Sequence, residues 1–466
     1  MSIRTVHDPI FSRVQSALHH AITQRAAADG FAADDAYAPS AELSSNNPHM
    51  QAVAELGNQF ILQGRAPEAL VAEGVGGIVE ECALLLWQYV KARLEGNDAL
   101  AQLLRNELKF STCDPLWIQA LTAYEEFVHS GKSIPYITLA PGDGVIAVDD
   151  TLNIALVADW ATGTPLAQNV LAQAVAMDPD IIIHLGDVYY AGTPKEEQQF
   201  FYQTMANVLA QAGKTMGTGP GDVRVFTLAG NHDMYSGGVG YYSVIKLLGQ
   251  PASYFCLQND DWQIVCLDTG YNDRDPFTVV SNVTQLTPDQ MVWLNQLMAH
   301  PGGRNTIFLS HHQLYSGAGP VGQSKVGGNT IDWGINPFLF GQLQDVLDQV
   351  QVWIWGHEHN TVVFDPHEGL PPGRCIGSGA IPMMLDPDPY ETDTSLRGIG
   401  TPGQPGYIPV PTMDLSYQLD NNGTNYNHGF AMLSLSGGSA TVTYYQVPVA
   451  GGGATQLGAS ETFPTS

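Results

Sequence analysis

The chain has few basic residues. Its 466 residues include 18 Lys and Arg against 46 Asp and Glu, which gives a formal net charge of −28. Nucleic acids and anionic membranes are bound largely through Lys and Arg, so this composition disfavours both as partners. An anionic substrate would need positive charge from another source, and bound metal ions can supply it.

Cysteines and long apolar runs are also scarce. The five cysteines are widely spaced and odd in number, so neither a disulfide framework nor a zinc knuckle is expected. The longest apolar run, residues 82–90, is too short to span a bilayer. The N-terminus has no basic start followed by an apolar stretch. These absences predict a cytoplasmic protein with no membrane partner.

The chain divides into regions with different patterns. Residues 1–140 carry apolar residues at helical spacing but no catalytic spacing, which predicts a helical region for self-association or protein binding. Residues 150–450 alternate β-rich runs with helical segments, as in βαβ units around a mainly parallel sheet. Residues 385–424, rich in Pro, Gly, Asp and Asn, predict an irregular insertion. A glycine run predicts a loose tail over 451–466.

Five apolar runs within this second region end in Asp, Asn or His. They lead into Asp159, GDVYY (186–190), GNHD (230–233), His311 and GHEH (356–359). Asp and Asn also favour ordinary turns at strand ends, but that explanation accounts poorly for the whole set. Because parallel strands gather their carboxyl ends at one edge of a sheet, we expect these side chains to meet there. They predict one polynuclear metal site.

The types of donor indicate the chemistry of this site. Seven side chains could bind metal, namely Asp159, Asp187, Tyr190, Asn231, His311, His357 and His359. A carboxylate can bridge two cations, and two cations about 4 Å apart can hold both oxygens of an in-line displacement at phosphorus. Mixed oxygen and nitrogen donors suit iron, manganese or zinc better than magnesium alone.

In this order, the five motifs resemble those of the calcineurin-like metallophosphoesterase superfamily. Tyr190, as the fifth residue of a GDxxY motif, resembles its purple acid phosphatase branch. The resemblance covers roughly residues 152–445 and implies an α/β fold, an αββα sandwich of two central sheets flanked by helices. It implies a phosphatase that hydrolyses small phosphomonoesters. The alternatives are a phosphodiesterase with the same metal ligands and a non-catalytic scaffold with the same fold.

Carried over residue by residue, the resemblance implies two metal ions bridged by Asp187. The first site, which holds Fe(III) in that branch, would be completed by Asp159, Tyr190 and His359. The second site, for Fe(II), Mn(II) or Zn(II), would be completed by Asn231, His311 and His357. A metal-bound hydroxide would attack phosphorus. His232 would stabilise the phosphoryl charge or protonate the leaving oxygen, and Asp233 would orient its ring.

Several other positions have more than one interpretation. Ala161 stands where the superfamily commonly has His and purple acid phosphatases have Gly, which excludes the His form of the first site. His312 could replace His311 as the ligand or support the ligands without binding metal itself, and His311 is favoured because the superfamily's ligand follows the strand directly. Arg374 could contact a phosphate or pair with an acidic side chain. His184 is expected to pack within its sheet, and His428 could face the site.

Overall fold

The computed structural model describes residues 117–275, 282–326, 328–385 and 388–464. Most of the predicted helical region, residues 1–116, lies outside the described residues, so its character stays a prediction. Its described part begins with helix α1, Trp117–Ser130. The described chain then runs without helix or strand to β1.

Strands and helices follow from there to the end of the described chain. The strands are β1 Val145–Ala147, β2 Thr151–Val157, β3 Ile181–His184, β4 Arg224–Thr227, β5 Phe255–Gln258, β6 Trp262–Cys266, β7 Asn305–Leu309, β8 Gly322–Val326, β9 Asn329–Trp333, β10 Val350–Trp355, β11 Thr361–Phe364, β12 Gly373–Ile376, β13 Met413–Asp414, β14 His428–Ser436, β15 Ser439–Val447 and β16 Thr455–Phe463. The helices after α1 are α2 Pro165–Val175, α3 Pro194–Glu196, a π-helical stretch Glu197–Gln203, α4 Thr204–Gln211, α5 Asn231–Tyr235, α6 Val239–Leu248, α7 Pro288–Met298, α8 Pro337–Leu343 and the 3-10 turns Leu347–Gln349 and Leu415–Tyr417.

Two large sheets form the centre of the described chain. One has the strand order β1-β5-β6-β7-β10-β12-β11-β13, and the other has the order β16-β15-β14-β2-β3-β4. The strands β2, β3 and β4 are parallel neighbours in one sheet, and β6, β7, β10 and β12 are parallel neighbours in the other. This mixed α/β architecture, with helices flanking the two sheets, confirms the predicted fold class.

The alternation of side chains along a strand explains how the layers pack. In β2, Ile154 and Leu156 belong to the core that is shared with strands of the other sheet. Ala155 and Val157 point to the opposite face, where they join the apolar cluster that includes Leu171 of α2. Because side chains alternate between the two faces of a sheet, this one short strand contributes to both apolar clusters. Full burial of each larger side chain contributes about 1.5–3 kcal/mol.

The predicted loose tail is wrong for most of its length. Residues Thr455–Phe463 form β16, which pairs antiparallel with β15 at the edge of its sheet. Its side chains are mostly exposed, so the segment lacks the apolar alternation by which strands are recognised. Glu461 of β16 forms an ion pair with the buried Arg374 of β12, which favours the acidic partner over the phosphate for Arg374.

The segment predicted as an irregular insertion has few regular elements. The described residues of 385–424 contain only β13 and the 3-10 turn Leu415–Tyr417 as regular elements. None of the described helices is long and apolar enough to cross a membrane.

Candidate metal centre

The predicted donors follow strands of both sheets. Residues Asp159, Asp187 and Asn231 lie after β2, β3 and β4 of one sheet. His311 follows β7 of the other sheet, and His357 and His359 follow its neighbour β10. The sequence-based expectation of a single sheet edge is therefore corrected, because the site combines the carboxyl ends of strands from two sheets.

Three of these donors have an unusual backbone. The φ angles are +51° at Asp159, +74° at Asp187 and +67° at His357. Side chains other than Gly rarely adopt this left-handed region, and each instance costs of the order of 1–3 kcal/mol. Such conformations persist where the surrounding structure enforces them, and they cluster at functional sites. The concentration of strain at these three positions supports a common role.

Two motif glycines allow the donors to approach each other. A Cβ atom on Gly230 would lie 2.1 Å from Asp187 Oδ1. Gly186 has a φ of +103°, and a Cβ there would lie 2.7 Å from His311 Nδ1. Any larger residue at either position would therefore push a donor aside.

One group of donors surrounds a single point. Asn231 Oδ1 is 3.1 Å from His311 Nε2 and 3.1 Å from His357 Nδ1, and these two nitrogen atoms are 3.2 Å apart. Asp187 Oδ2 is 3.4 Å from His311 Nε2. Neighbouring donors around a cation with bonds of about 2.1 Å lie roughly 3.0–3.4 Å apart. The four side chains therefore fit one metal ion.

The structure also fixes which atoms of this group face inward. His311 Nδ1 donates to the carbonyl oxygen of Leu185 at 2.9 Å, which leaves the Nε2 lone pair for a metal. Asn231 Nδ2 donates to the Tyr235 hydroxyl at 2.5 Å, so its Oδ1 faces the imidazoles. Tyr235 is a residue that the sequence did not single out.

A second group shares one oxygen with the first. The Tyr189 hydroxyl lies 2.9 Å from Asp159 Oδ1, 3.1 Å from Asp187 Oδ2 and 2.9 Å from His359 Nε2. His359 Nε2 is 3.6 Å from Asp159 Oδ1. Asp187 Oδ2 therefore belongs to both groups, as a bridging carboxylate requires.

The phenol donor differs from the sequence-based assignment. The hydroxyl of Tyr189 lies within hydrogen-bonding distance of both carboxylates. Tyr190 contributes its backbone, since its N–H donates to Glu196 and its carbonyl oxygen accepts from His232 Nδ1 at 2.7 Å. The two tyrosines are adjacent in sequence, and counting positions in a motif cannot show which ring turns inward.

His232 lies beside the shared oxygen. Its Nε2 is 3.8 Å from Asp187 Oδ2, and its ring is 4.5 Å from that of Tyr189 between centroids. Burial lowers the pKa of His232, although the charge of Asp187 opposes this effect. The position suits the predicted contact with a phosphoryl group.

Asp233 does not orient the His232 ring as the sequence suggested. Its carboxylate accepts the backbone N–H groups of Asp187 and Val188 at 3.0 Å each, and of Gly230 at 2.7 Å. It therefore ties the GNHD loop to the GDVYY loop. Burial, together with the charge of Asp187, raises the pKa of Asp233 to about 7.

The first group of donors is also linked electrostatically. Burial alone would raise the pKa of Asp187, but the imidazoles of His311 and His232 hold it well below its usual range. Burial would lower the pKa of His311, yet the carboxylate of Asp187 outweighs it and raises that pKa to about 9. In the metal-free protein the Asp187 carboxylate and the protonated His311 ring therefore favour an ion pair.

Three other positions that the sequence left open, His184, His428 and Ala161, are buried. His184 lies between Trp160 and Phe201 and contacts Thr227 Oγ1 at 3.1 Å, which confirms its packing within the sheet. His428 is buried at the start of β14, where Nδ1 donates to the Ser378 carbonyl oxygen at 3.2 Å. Ala161 is buried, and its carbonyl oxygen accepts the Tyr189 N–H at 3.1 Å.

Residues 152–361 match the family model of the calcineurin-like phosphoesterases. These residues form a calcineurin-like phosphoesterase domain. The matched stretch includes every donor of both groups and His232. Members of this family are in general hydrolases. No curated protein matches the chain in sequence.

Solved structures that resemble the chain include three with low sequence identity. GAP50, the anchor in the inner membrane complex of Plasmodium, is 16% identical over 67% of this chain and 90% of that chain, with a TM-score of 0.39. PhoD is 13% identical over 70% of this chain and 71% of that chain, with a TM-score of 0.42. A single mutant of Vps29 from Entamoeba histolytica is 11% identical over 66% of this chain and 99% of that chain, with a TM-score of 0.26.

Proposed function

We propose that the phosphoesterase domain is a dinuclear metal-dependent phosphatase that hydrolyses small phosphomonoesters. The observation that carries the proposal is the position of Asp187 Oδ2, which lies 3.4 Å from His311 Nε2 and 3.1 Å from the Tyr189 hydroxyl. One oxygen common to two donor groups is the arrangement by which a carboxylate bridges two cations.

The donors of each group suit the expected metals. A phenol, two carboxylates and an imidazole favour a hard, oxidised ion such as Fe(III) at the Tyr189 side. An amide oxygen, two imidazoles and the shared carboxylate suit Fe(II), Mn(II) or Zn(II) at the other. Two such ions would lower the pKa of water and neutralise the charge of a phosphoryl group.

The side chains of the protein would do the remaining work. The carbonyl oxygen of Tyr190 holds the His232 ring, so its Nε2 stays directed at the shared oxygen. From there His232 can stabilise charge on a phosphoryl oxygen or pass a proton to the leaving group. The Asp233 carboxylate keeps the His232 and Asp187 loops in register.

The first experiment compares initial rates on a chromogenic phosphate monoester and its matched diester. One preparation of the full chain, reconstituted with iron and manganese, serves for both substrates. We expect faster turnover of the monoester. Faster turnover of the diester would make the protein a phosphodiesterase, and no turnover of any phosphoester by metal-loaded, folded protein would point to a non-catalytic scaffold.

A variant connects turnover to the donors. Asn231→Ala removes the amide oxygen that lies 3.1 Å from both His311 and His357. We expect it to abolish most of the turnover, with a matched fall in bound divalent metal measured by elemental analysis. His300→Phe, which changes an exposed imidazole on the surface, is the control and should retain both.

A further inference from the structure

His312 lies against the donor group of Asn231, His311 and His357, and a nitrogen of its ring lies within 4.8 Å of ligand atoms of both His311 and His357. Its ring centroid is 4.8 Å from that of His311 and 4.5 Å from that of His357. Both ring nitrogen atoms already have partners, since Nδ1 is 2.9 Å from Thr269 Oγ1 and Nε2 is 3.1 Å from Asp273 Oδ2. A ring held on both sides cannot turn a nitrogen atom to a cation without losing these contacts.

The partners of His312 come from one loop after β6, and this loop is fixed in turn. Thr269 Oγ1 also accepts the backbone N–H of His312 at 3.0 Å, and its carbonyl oxygen accepts the hydroxyl of Thr284 at 2.6 Å. Asp273 Oδ1 accepts from Asn282 Nδ2 at 2.8 Å. The described part of the loop therefore holds the His312 imidazole through Thr269 and Asp273, each of which has a further hydrogen bond of its own.

The same loop packs on the backbone that precedes Asn231. A Cβ atom on Gly270 would lie 2.4 Å from the carbonyl oxygen of Gly230 and 2.6 Å from that of Ala229. The loop after β6 therefore contacts the GNHD loop directly and reaches His311 and His357 through His312. Of the four donors Asp187, Asn231, His311 and His357, the loop therefore packs near three. It contacts the backbone before Asn231 directly, and it contacts the rings of His311 and His357 through His312.

We propose that His312 is a positioning residue, anchored by Thr269 and Asp273, that holds the imidazoles of His311 and His357 in the geometry of the second metal site. The inference rests on the proposed function only in requiring that a metal binds there, and it does not depend on the reaction. Its physical basis is packing and orientation. Without the His312 ring packed against them, the two imidazoles, whose own centroids are 5.1 Å apart, would have to be ordered by the metal itself, which weakens binding.

The test measures metal binding rather than turnover. Metal-free full chain is titrated with cobalt(II), and the visible bands of the bound ions report each site separately. His312→Phe keeps a ring but removes both polar contacts, and we expect it to weaken one of the two cobalt ions about 10–100-fold and leave the other unchanged. Thr269→Val keeps the shape of its side chain, removes the contact to Nδ1 and should change the same ion in the same direction.

Several outcomes would overturn the proposal. Wild-type affinities for both ions in both variants would show that the contacts position nothing. Equal weakening of both ions, with a matching fall in melting temperature, would show a general structural role. Complete loss of one ion in His312→Phe, with that ion retained in His311→Ala, would make His312 the ligand. A wild-type chain that binds no cobalt would overturn this proposal and the proposed function together, whereas one that binds two ions but hydrolyses nothing would overturn the proposed function alone.

Discussion

At the scale of the residue, the two carboxylates of the centre use their oxygens for different purposes. Asp187 Oδ1 accepts the backbone N–H of His232 at 3.0 Å, and Oδ2 is the oxygen shared by the two donor groups. Asp159 Oδ2 accepts the backbone N–H of His357 at 2.8 Å, and Oδ1 faces the Tyr189 hydroxyl. Each carboxylate therefore holds a neighbouring donor loop in place and directs its other oxygen toward the other donors.

The two adjacent tyrosines can be told apart by spectroscopy. A tyrosinate bound to ferric iron gives a charge-transfer band in the visible spectrum. We expect Tyr189→Phe to lose this band in iron-loaded protein, because its hydroxyl lies 2.9 Å from Asp159 Oδ1 and 3.1 Å from Asp187 Oδ2. Tyr190→Phe is the matched control and should keep the band. The reverse result would restore the assignment to Tyr190.

The raised pKa of His311 predicts how metal affinity depends on pH. Since the pKa lies at about 9, above the ordinary 6.5, the protonated ring stabilises the metal-free fold fully below about pH 6.5. That contribution is lost as the pH rises through about 9. A metal needs the unprotonated Nε2, so its apparent affinity should rise about tenfold per pH unit up to about 9 and then level off.

Two measurements check these opposite slopes. Metal titrations between pH 6 and 9 should show the rise in affinity, and thermal melts of the metal-free chain should show the fall in stability. An affinity that does not change with pH over this range would mean that His311 carries no proton in the metal-free protein.

At the scale of the element, short loops carry the donors, and each loop is fixed by another. Glu196, in α3, accepts the N–H groups of Tyr190 at 2.6 Å and Thr193 at 3.0 Å. Cys375 Sγ, in β12, lies 3.2 Å from the carbonyl oxygen of Glu358, between His357 and His359. The ends of the strands thus bring the donor residues close together, but contacts made by the loops fix the orientation of the donor side chains.

The close approach of two loops at Gly230 gives a test at this scale. We expect Gly230→Ala to lower the free energy of unfolding by about 1–3 kcal/mol, because the new methyl group would meet Asp187 Oδ1 at 2.1 Å. Metal content should fall as Asp187 is displaced. Urea unfolding and elemental analysis measure the two effects. Gly319→Ala, where a Cβ meets nothing within 4 Å, is the control. Full metal content in Gly230→Ala would contradict the expectation.

At the scale of the whole molecule, the two sheets must stay in register for their donors to meet. An ion pair connects them, in which the buried Arg374 donates through Nε and Nη2 to the partly exposed Glu461 at 2.7 and 2.6 Å. The Tyr444 hydroxyl donates to the same carboxylate at 2.7 Å. Since Arg374 lies in β12 and Glu461 in β16, the pair ties the edge strand of one sheet to the other sheet.

This connection predicts unequal effects of two substitutions. Glu461→Ala leaves the Arg374 guanidinium buried without its partner, and we expect a loss of about 3–5 kcal/mol in the free energy of unfolding. Arg374→Met removes the charge that needs a partner, and it should cost less. Urea unfolding of both variants, compared with the wild type, gives the measurement. Equal losses, or a larger loss for Arg374→Met, would show that the unpaired charge does not determine the loss in the free energy of unfolding.

The sequence by itself determined the local features of this protein. The helix Pro288–Met298 begins where Thr287 and Pro288 predict an N-cap and a first helical residue, and Thr287 Oγ1 accepts the Gln290 N–H. Apolar runs within residues 253–268 flank a turn at 259–261, a pattern that predicts a hairpin, and β5 and β6 form one there. Apolar runs that end in Asp, Asn or His also located the donors, because strand periodicity and the preferences of turn residues are short-range properties.

Only the tertiary structure decided which of these side chains meet. It drew the donors from two sheets and brought the Tyr189 hydroxyl to Asp159 and Asp187. It also hydrogen-bonded the Asp233 carboxylate to the backbone of another loop and packed His312 against His311 and His357. It also made a strand of the polar residues Thr455–Phe463 by pairing them at a sheet edge. The reason is that these outcomes depend on contacts between residues far apart in the chain, and no periodicity within one segment records them.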